Sequence, residues 1–381
     1  MALALEFVSS LSEIRAAEWD ALHDGTYPFV RYAFLAALEQ SGAVNEDKGW
    51  QPHHLIARHQ GQIVAALPLY LKDHSYGEYV FDWAWADAYQ RYGRRYYPKL
   101  LSAIPFTPAT GPRLLLAPGQ DADQRLPELV TGLQDEALAR GASSVHLLFP
   151  SEAVSNQLQQ HNLMQRVGAQ YHWFDDGYGD FDGFLASFSS RKRKTVRKER
   201  RVVIDQGLSL ATLEGDAISE ADWQFFFYCY QMTYAKRSGH GGYLPEDFFH
   251  RLASDMPDAL VMMVAYFEGK RVAAALNFRG GDTLYGRYWG CVREFEFLHF
   301  EACYYRGIDY CLANGLTHFD PGAQGEHKIQ RGFTPIMTYS NHWLADGAFR
   351  DAVGNFLAEE RRHIEGYLVD AGEMLPFRKG E

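Results

Sequence analysis

The chain has 381 residues, of which 47% are apolar and 15% aromatic, which is enough for two packed cores rather than one. A formal net charge of −11 excludes a protein that binds nucleic acid or anionic membrane over its whole surface, so any polyanion site must be local. Four cysteines, Cys229, Cys291, Cys303 and Cys311, lie in apolar surroundings without CxxC spacing and read as reduced, buried thiols.

In chain order, the opening segment MALALEFVSSLSEIRAAEWD has no basic n-region and is broken at Glu6, so it does not read as a signal or transit peptide. No window has the roughly 18 uncharged apolar residues of a membrane span, and a cytoplasmic location is the expectation. Next, GQIVAALPLYLKDHSYGEYVFDW (Gly61 to Trp83) aligns with GKRVAAALNFRGGDTLYGRYWG (Gly269 to Gly290). Val64-Ala65-Ala66 matches Val272-Ala273-Ala274, and Tyr76-Gly77 matches Tyr285-Gly286. Each reads as a β-hairpin whose second strand alternates aromatic residues.

After each hairpin come a helix, a glycine and a strand: RLPELVTGLQDEALARG with SSVHLLFP, and FEACYYRGIDYCLANG with THFDPG. Gly141 and Gly315 stand where a helix closes through a left-handed residue. Hairpin, helix and strand in the same order twice predict a duplicated α/β unit. The first copy carries a long insertion, residues 84–119, rich in Trp, Tyr, Pro and Arg. Its length predicts an ordered, functional excursion, with Trp85, Asp87 and Tyr89 as substrate contacts and Arg91, Arg94 and Arg95 as phosphate contacts. The alternative is an aromatic, basic surface loop.

The run SSRKRKTVRKERR has eight cations and one carboxylate between Arg191 and Arg201. A helix capped by Ser189 or Ser190 would place Arg193, Arg197 and Arg200 or Arg201 on one face. Arg191, Arg193, Lys194 and Arg197 are then candidate phosphate ligands, against the alternative of a solvated linker helix. YAKRSGHGGYLPEDFF (Tyr234 to Phe249) follows an apolar helix, and its glycines loosen a loop offering Lys236, Arg237, His240 and Tyr243. Tyr288, with Trp289, lies on the second hairpin.

The densest charged stretch is DPGAQGEHKIQRGF (Asp320 to Phe333). The Pro-Gly pair ends the strand THF, which puts Asp320 at its C-terminal tip, where open α/β sheets bind ligands. Acyl transfer to an amine needs a base, stabilisation of an oxyanion and an acid for the leaving group. Asp320, Glu326 or His327 can supply the base, as can Glu301 on an aromatic helix; backbone N–H groups with Lys328 or Arg331 can stabilise the oxyanion, and Gln324, Glu326, Lys328 and Arg331 can bind substrate. Asp320, Glu326 and His327 lack the HxxxH spacing or cysteine partner of a metal site, and no metal is expected.

Four long segments together resemble one family: FDWAWADAYQRYGRRYYPKLLSAIPFTPATGPRLL, QYHWFDDGYGDFDGFLASFSSRKRKTVRKERR, LHFEACYYRGIDYC and FDPGAQGEHKIQRGF. They are similar to the FemAB-like group of bacterial N-acyltransferases, often labelled peptidoglycan-biosynthesis proteins, over nearly the whole chain. The resemblance implies mixed α/β sheets in tandem acetyltransferase-like (GNAT) domains, here residues 1–180 and 181–381, with the cleft between the two lobes lined by the basic run, the 234–249 loop and the 320–333 loop. It also implies an acyl-CoA thioester or aminoacyl-tRNA as donor substrate and an amine of a small molecule or peptide as acceptor. The Q/R-x-x-G-x-G/A pyrophosphate segment of coenzyme A-binding GNAT domains is missing from WGCVREFEFLHFEA; QRYGRR and QRVGAQ are near matches only. The expected chemistry is direct attack in a ternary complex. The alternative is a non-catalytic GNAT-fold protein that binds a phosphorylated ligand or nucleic acid.

Overall fold

The computed structural model describes residues 3–323 and 325–378. Two compact units emerge: residues 1–169 with 337–366, and residues 170–336 with 367–381. The described strands are β1 (Ala4–Val8), β2 (Trp50–Pro52), β3 (His54–His59), β4 (Gln62–Leu67), β5 (Tyr70–Lys72), β6 (Lys99–Ser102), β7 (Leu115–Leu116) and β8 (Ser144–Leu148). They continue as β9 (Met164–Phe174), β10 (Leu208–Glu214), β11 (Leu260–Phe267), β12 (Lys270–Gly280), β13 (Thr283–Cys291), β14 (His318–Asp320) and β15 (Thr334–Leu344). The chain passes between units within β9, within β15 and within the helix Gly347–Glu373.

The duplication extends to single residues. In unit 1 the β3–β4 hairpin turns through Gln60 and Gly61, both at positive φ; in unit 2 the β11–β12 hairpin turns through Glu268 and Gly269, again both positive. Two positive φ values are what a type I′ turn requires, and its twist suits the flanking strands. Ala57 pairs with Ala65 and Arg58 with Ile63, so Val64 is the extra residue of a bulge. Ala265 pairs with Ala273 and Tyr266 with Arg271, so Val272 is extra in the same place. The repeated Val-Ala-Ala is therefore a bulge followed by two alanines small enough for a crowded sheet.

The helix Ala122–Ala139 ends through Gly141 (φ 65°), with Ala142 N donating to Ala137 O; helix 306–314 ends through Gly315 (φ 67°), with Leu316 N donating to Cys311 O. The strand that follows, β8 or β14, pairs in parallel with β6 or β13. Unit 2 forms the order β10-β11-β12-β13-β14-β9. In unit 1 the matching strands bend at Pro68 and His53 and are shared between β1-β3-β4-β7 and β15-β8-β6-β5-β2.

One expectation is corrected. Residues 76–83 are not a strand: Gly77 and Tyr79 take positive φ, which breaks the pleat. The strand that pairs with β5 is β6, inside the insertion, with Lys72 opposite Lys99.

Each unit has its own core. Leu55, Leu100, Leu129, Val145 and Leu147 anchor unit 1, and Trp173, Phe184, Phe188, Phe319 and Phe333 anchor unit 2. Packing is close where β13 crosses the helix Glu220–Ser238: a Cβ on Gly290 would lie 2.2 Å from the Cys229 carbonyl oxygen. Gly290→Ala is expected to cost about 1–3 kcal/mol because backbone cannot give way as a side chain can. Gly347→Ala, which meets nothing within 4 Å, is the control and should stay within about 0.5 kcal/mol. Chemical denaturation of the two variants compares them.

Candidate active site

The parallel pair in unit 2 is short. Thr283, Leu284 and Tyr285 of β13 pair with His318, Phe319 and Asp320 of β14, and β13 then runs on to Cys291 without β14. At the same place β12 and β13 change register: Leu276 faces Tyr288 and Asn277 faces Gly286, leaving Arg287 as a bulge. The bulge re-aims that side chain at the strand tip. Arg287 Nη2 lies 2.7 Å from Asp320 Oδ2, both groups essentially buried.

Asp320 also accepts from Gly322 N at 2.9 Å, and His172 Nε2 stands 3.6 Å away. Burial alone would raise its pKa, but Arg287 and His172 outweigh burial and hold the carboxyl far below the ordinary range. Such a carboxylate does not take up a proton near neutral pH. It fixes Arg287 and the turn after β14.

That turn carries the next contact. Lys328 is 1% exposed, and its Nζ donates to Gly322 O at 2.5 Å. An ammonium has three donors, and among the described residues Lys328 satisfies one of them in this way. Burial, only partly offset by Asp320, pulls its pKa down to about 8.

Beside it, Tyr304 OH and His327 Nε2 are 2.8 Å apart, and the Lys328 Nζ is 6.0 Å from the Tyr304 ring centre. Desolvation, with Arg331 and Lys328 nearby, pushes His327 below its ordinary value, so its imidazole is neutral at pH 7. Rings of His299, Phe300 and Phe333 pack on this pair, and Trp289 packs on His299. His299 is pushed down to about 4, chiefly by burial.

Tyr304 and Glu301 sit in one turn of π-helix, Glu301–Tyr305, within helix 298–314. Such bulges re-aim side chains and recur at functional sites. Glu301 meets Arg200 Nη2 at 2.9 Å and Nε at 3.0 Å, and Arg306 Nε at 3.2 Å. Held by two guanidinium groups, it braces the basic helix Ser190–Asp205. Arg331 binds Glu199 at 2.8 Å and His327 O at 2.7 Å, and stacks on Phe300 at 3.4 Å. Glu326 accepts from Tyr367 OH at 2.8 Å. Gln324 lies outside the described residues.

In the 234–249 segment the helix Glu220–Ser238 continues through Lys236 and Arg237 and closes at Gly239. Lys236 reaches Glu294 at 3.5 Å, His240 packs between Tyr234 and Tyr243, and Tyr243 N donates to Tyr230 OH. Tyr288 packs on Tyr230 and Phe249. On the basic helix, Arg197 pairs with Asp182 at 2.9 Å and Arg193 is half-buried, whereas Arg191 and Lys194 are exposed.

The remaining expected residues belong to unit 1. Trp85 and Tyr89 are buried with Tyr96 and Leu344, while Asp87 is exposed. Arg91, Arg94 and Arg95 are exposed at the end of the helix Trp83–Arg91. QRYGRR thus closes a helix instead of opening one, and QRVGAQ is part of β9, so neither offers the helix N-terminus that would hold a pyrophosphate. Arg287, Tyr304 and His172 were not singled out from the sequence. For Arg287 the only signal is its place one residue after Gly286 in the repeated hairpin.

Two copies of one α/β unit, each with a parallel pair fed by a hairpin and a helix, define a tandem GNAT-like protein. The chain belongs to the FemAB-like family, described as peptidoglycan biosynthesis/recognition, which matches residues 10–379. Its fold is similar to that of FemX, at 13% identity and a TM-score of 0.55, covering 90% of this chain and 98% of that one. It is also similar to the C-terminal domain of a putative lysylphosphatidylglycerol synthetase from Agrobacterium fabrum, at 11% identity, TM-score 0.54, and 90% and 95% coverage. L-PGS from Bacillus licheniformis matches at 10% identity, TM-score 0.51, and 90% and 97% coverage. No curated protein sequence matches the chain. Among the described residues no helix is long and apolar enough to cross a membrane, and no group of His, Cys, Asp and Glu is placed to hold a metal.

Removing Arg287 should leave Asp320 as a buried, unpaired charge. Arg287→Ala is expected to cost about 3–5 kcal/mol near neutral pH. Because the folded-state pKa of Asp320 is depressed, its contribution is present above the unfolded value near 3.9 and is lost as pH falls below it. Denaturation curves should therefore show the deficit narrowing below about pH 4.

Proposed function

We propose that unit 2 is an N-acyltransferase centre in which Lys328 and the His327–Tyr304 pair do the chemistry. The observation that carries this reading is a buried lysine, bonded to the turn after β14, beside a neutral histidine. An amine of a small molecule or peptide attacks the carbonyl carbon of the donor, and a C–N bond forms. The electron pair moves onto oxygen, where the Lys328 ammonium stabilises it. His327 takes the proton lost by nitrogen, the bond from carbonyl carbon to the donor's sulfur or oxygen breaks, and the leaving group is protonated from solvent. Burial raises the Cys303 and Cys311 thiols well above their ordinary value, which speaks for direct attack over a thioester enzyme intermediate.

For the donor, the basic helix favours a polyanionic carrier. Arg191, Lys194, Lys198 and Arg201 recur at helical spacing, are exposed, and have no ion pair among the described residues. They span about 15 Å of helix axis. A stripe of that length suits an extended phosphate chain, as in an aminoacyl-tRNA, better than one pyrophosphate; acyl-CoA is the second donor reading, on the fold alone.

Two measurements test this. The rate should fall on the alkaline side near pH 8, where Lys328 loses its proton, and on the acid side below the ordinary histidine pKa. Lys328→Met is expected to lower kcat by about 10²–10³-fold, and Lys328→Arg to restore part of it and remove the alkaline fall. A rate that rises through pH 8 would instead make Lys328 the base. Titration with charged tRNA and with acetyl-CoA should show salt-steep binding of tRNA, weakened by Lys194→Glu and Lys198→Glu. Saturable binding of acetyl-CoA alone would reverse the donor assignment, and binding without turnover would favour the non-catalytic reading.

A further inference from the structure

Unit 1 carries a surface feature that acyl transfer does not use. Tyr76 is 57% exposed, Phe81 56%, Trp83 38% and Tyr92 78%, large hydrophobic side chains within seventeen residues of one another. Tyr76 and Trp83 face each other with ring centres 5.0 Å apart. Arg91, Arg94 and Arg95 are exposed at the far end of the helix that Trp83 begins. Asp73 and Asp87 are the exposed acids of the segment, so three cations face two carboxylates in a chain that is otherwise strongly acidic.

The patch is held from beneath. Either side of Phe81, Glu78 and Asp82 turn inward to the buried Lys99 Nζ, at 2.8 Å and 2.5 Å, and Ser75 accepts from the same nitrogen at 2.8 Å. Tyr96 OH donates to Asp82 at 2.6 Å, and Arg166 Nη1 donates to the Phe81 carbonyl at 2.7 Å. These bonds to Lys99, with one oxygen of Glu78 and one of Asp82 left without a partner among the described residues, tie the backbone on either side of Phe81 to the interior while the aromatic rings point to water. Keeping these four large rings outward costs apolar hydration that the contacts of Tyr76 with Trp83 and of Tyr92 with Phe349 recover only in part.

Tyrosine and tryptophan with arginine beside them match the chemistry of a bilayer interface, where amphipathic rings settle at headgroup depth and guanidinium groups bind lipid phosphate. We propose that residues 76–95 of unit 1 form a docking surface for an anionic lipid membrane. The net charge of −11 repels such a membrane at a distance, so attachment is weak, reversible and confined to this patch.

Co-sedimentation of the whole protein with vesicles tests this, using phosphatidylcholine alone and phosphatidylcholine with about one-third phosphatidylglycerol at low and moderate salt. The wild-type protein should pellet with the anionic vesicles and release as salt rises. Arg91→Gln, Arg94→Gln and Arg95→Gln together should weaken that partition by roughly a hundredfold, and Tyr76→Ser with Phe81→Ser by at least tenfold. Brominated lipid should quench less fluorescence in Trp83→Phe than in wild type, a readout that does not depend on the multiple variants folding. Failure to pellet with anionic vesicles, equal pelleting of the aromatic variant, or quenching unchanged in Trp83→Phe would each overturn the proposal.

Discussion

The buried pair of Arg287 and Asp320 is the constraint from which the unit 2 site follows. It stands where β13 and β14 stop pairing, and it joins the bulge of one strand to the tip of the other. Asp320 in turn organises Gly322, whose carbonyl receives Lys328. A charge brought into the interior must be paired and hydrogen-bonded, and these requirements place the lysine. Desolvation then lowers its proton affinity, so one burial accounts for both its position and its pKa.

A second layer of ion pairs holds the basic helix. Arg200 with Glu301 and Asp309, and Glu199 with Tyr305 and Arg331, turn its inner face toward helix 298–314. The cations left outside are those at positions 191, 194, 197, 198 and 201, of which Arg197 pairs with Asp182. The strongly basic run is thus two faces with separate tasks, one cohesive and one available.

Duplication was legible in the sequence because it lives in local chemistry: a two-residue turn, a bulge valine, two alanines, and a glycine after a helix. Asp320 at a strand tip was legible for the same reason, since Pro-Gly must end a strand. The partner of β5 was not, because the aromatic run at residues 76–83 alternates as a strand does, while the true partner begins at Lys99. Glu301 on an aromatic helix invited a role in proton transfer, but its environment is decided by Arg200, 101 residues away in sequence. His172 and His318, 2.8 Å apart on adjacent strands, and His146 and His342, 2.6 Å apart on the matching strands of unit 1, likewise meet only through tertiary pairing. Spacing along the chain carries no trace of such contacts.

The way the chain threads its two units has a consequence for how it is made. β8 lies in the first half of the chain, yet the strand that covers its open edge within unit 1 is β15, whose residues 340–344 are synthesised almost two hundred residues later. Until then the edge of β8 is bare, with His146 lacking its histidine neighbour. The first unit to leave the ribosome must therefore wait as an open sheet while residues 170–336 of the second are made.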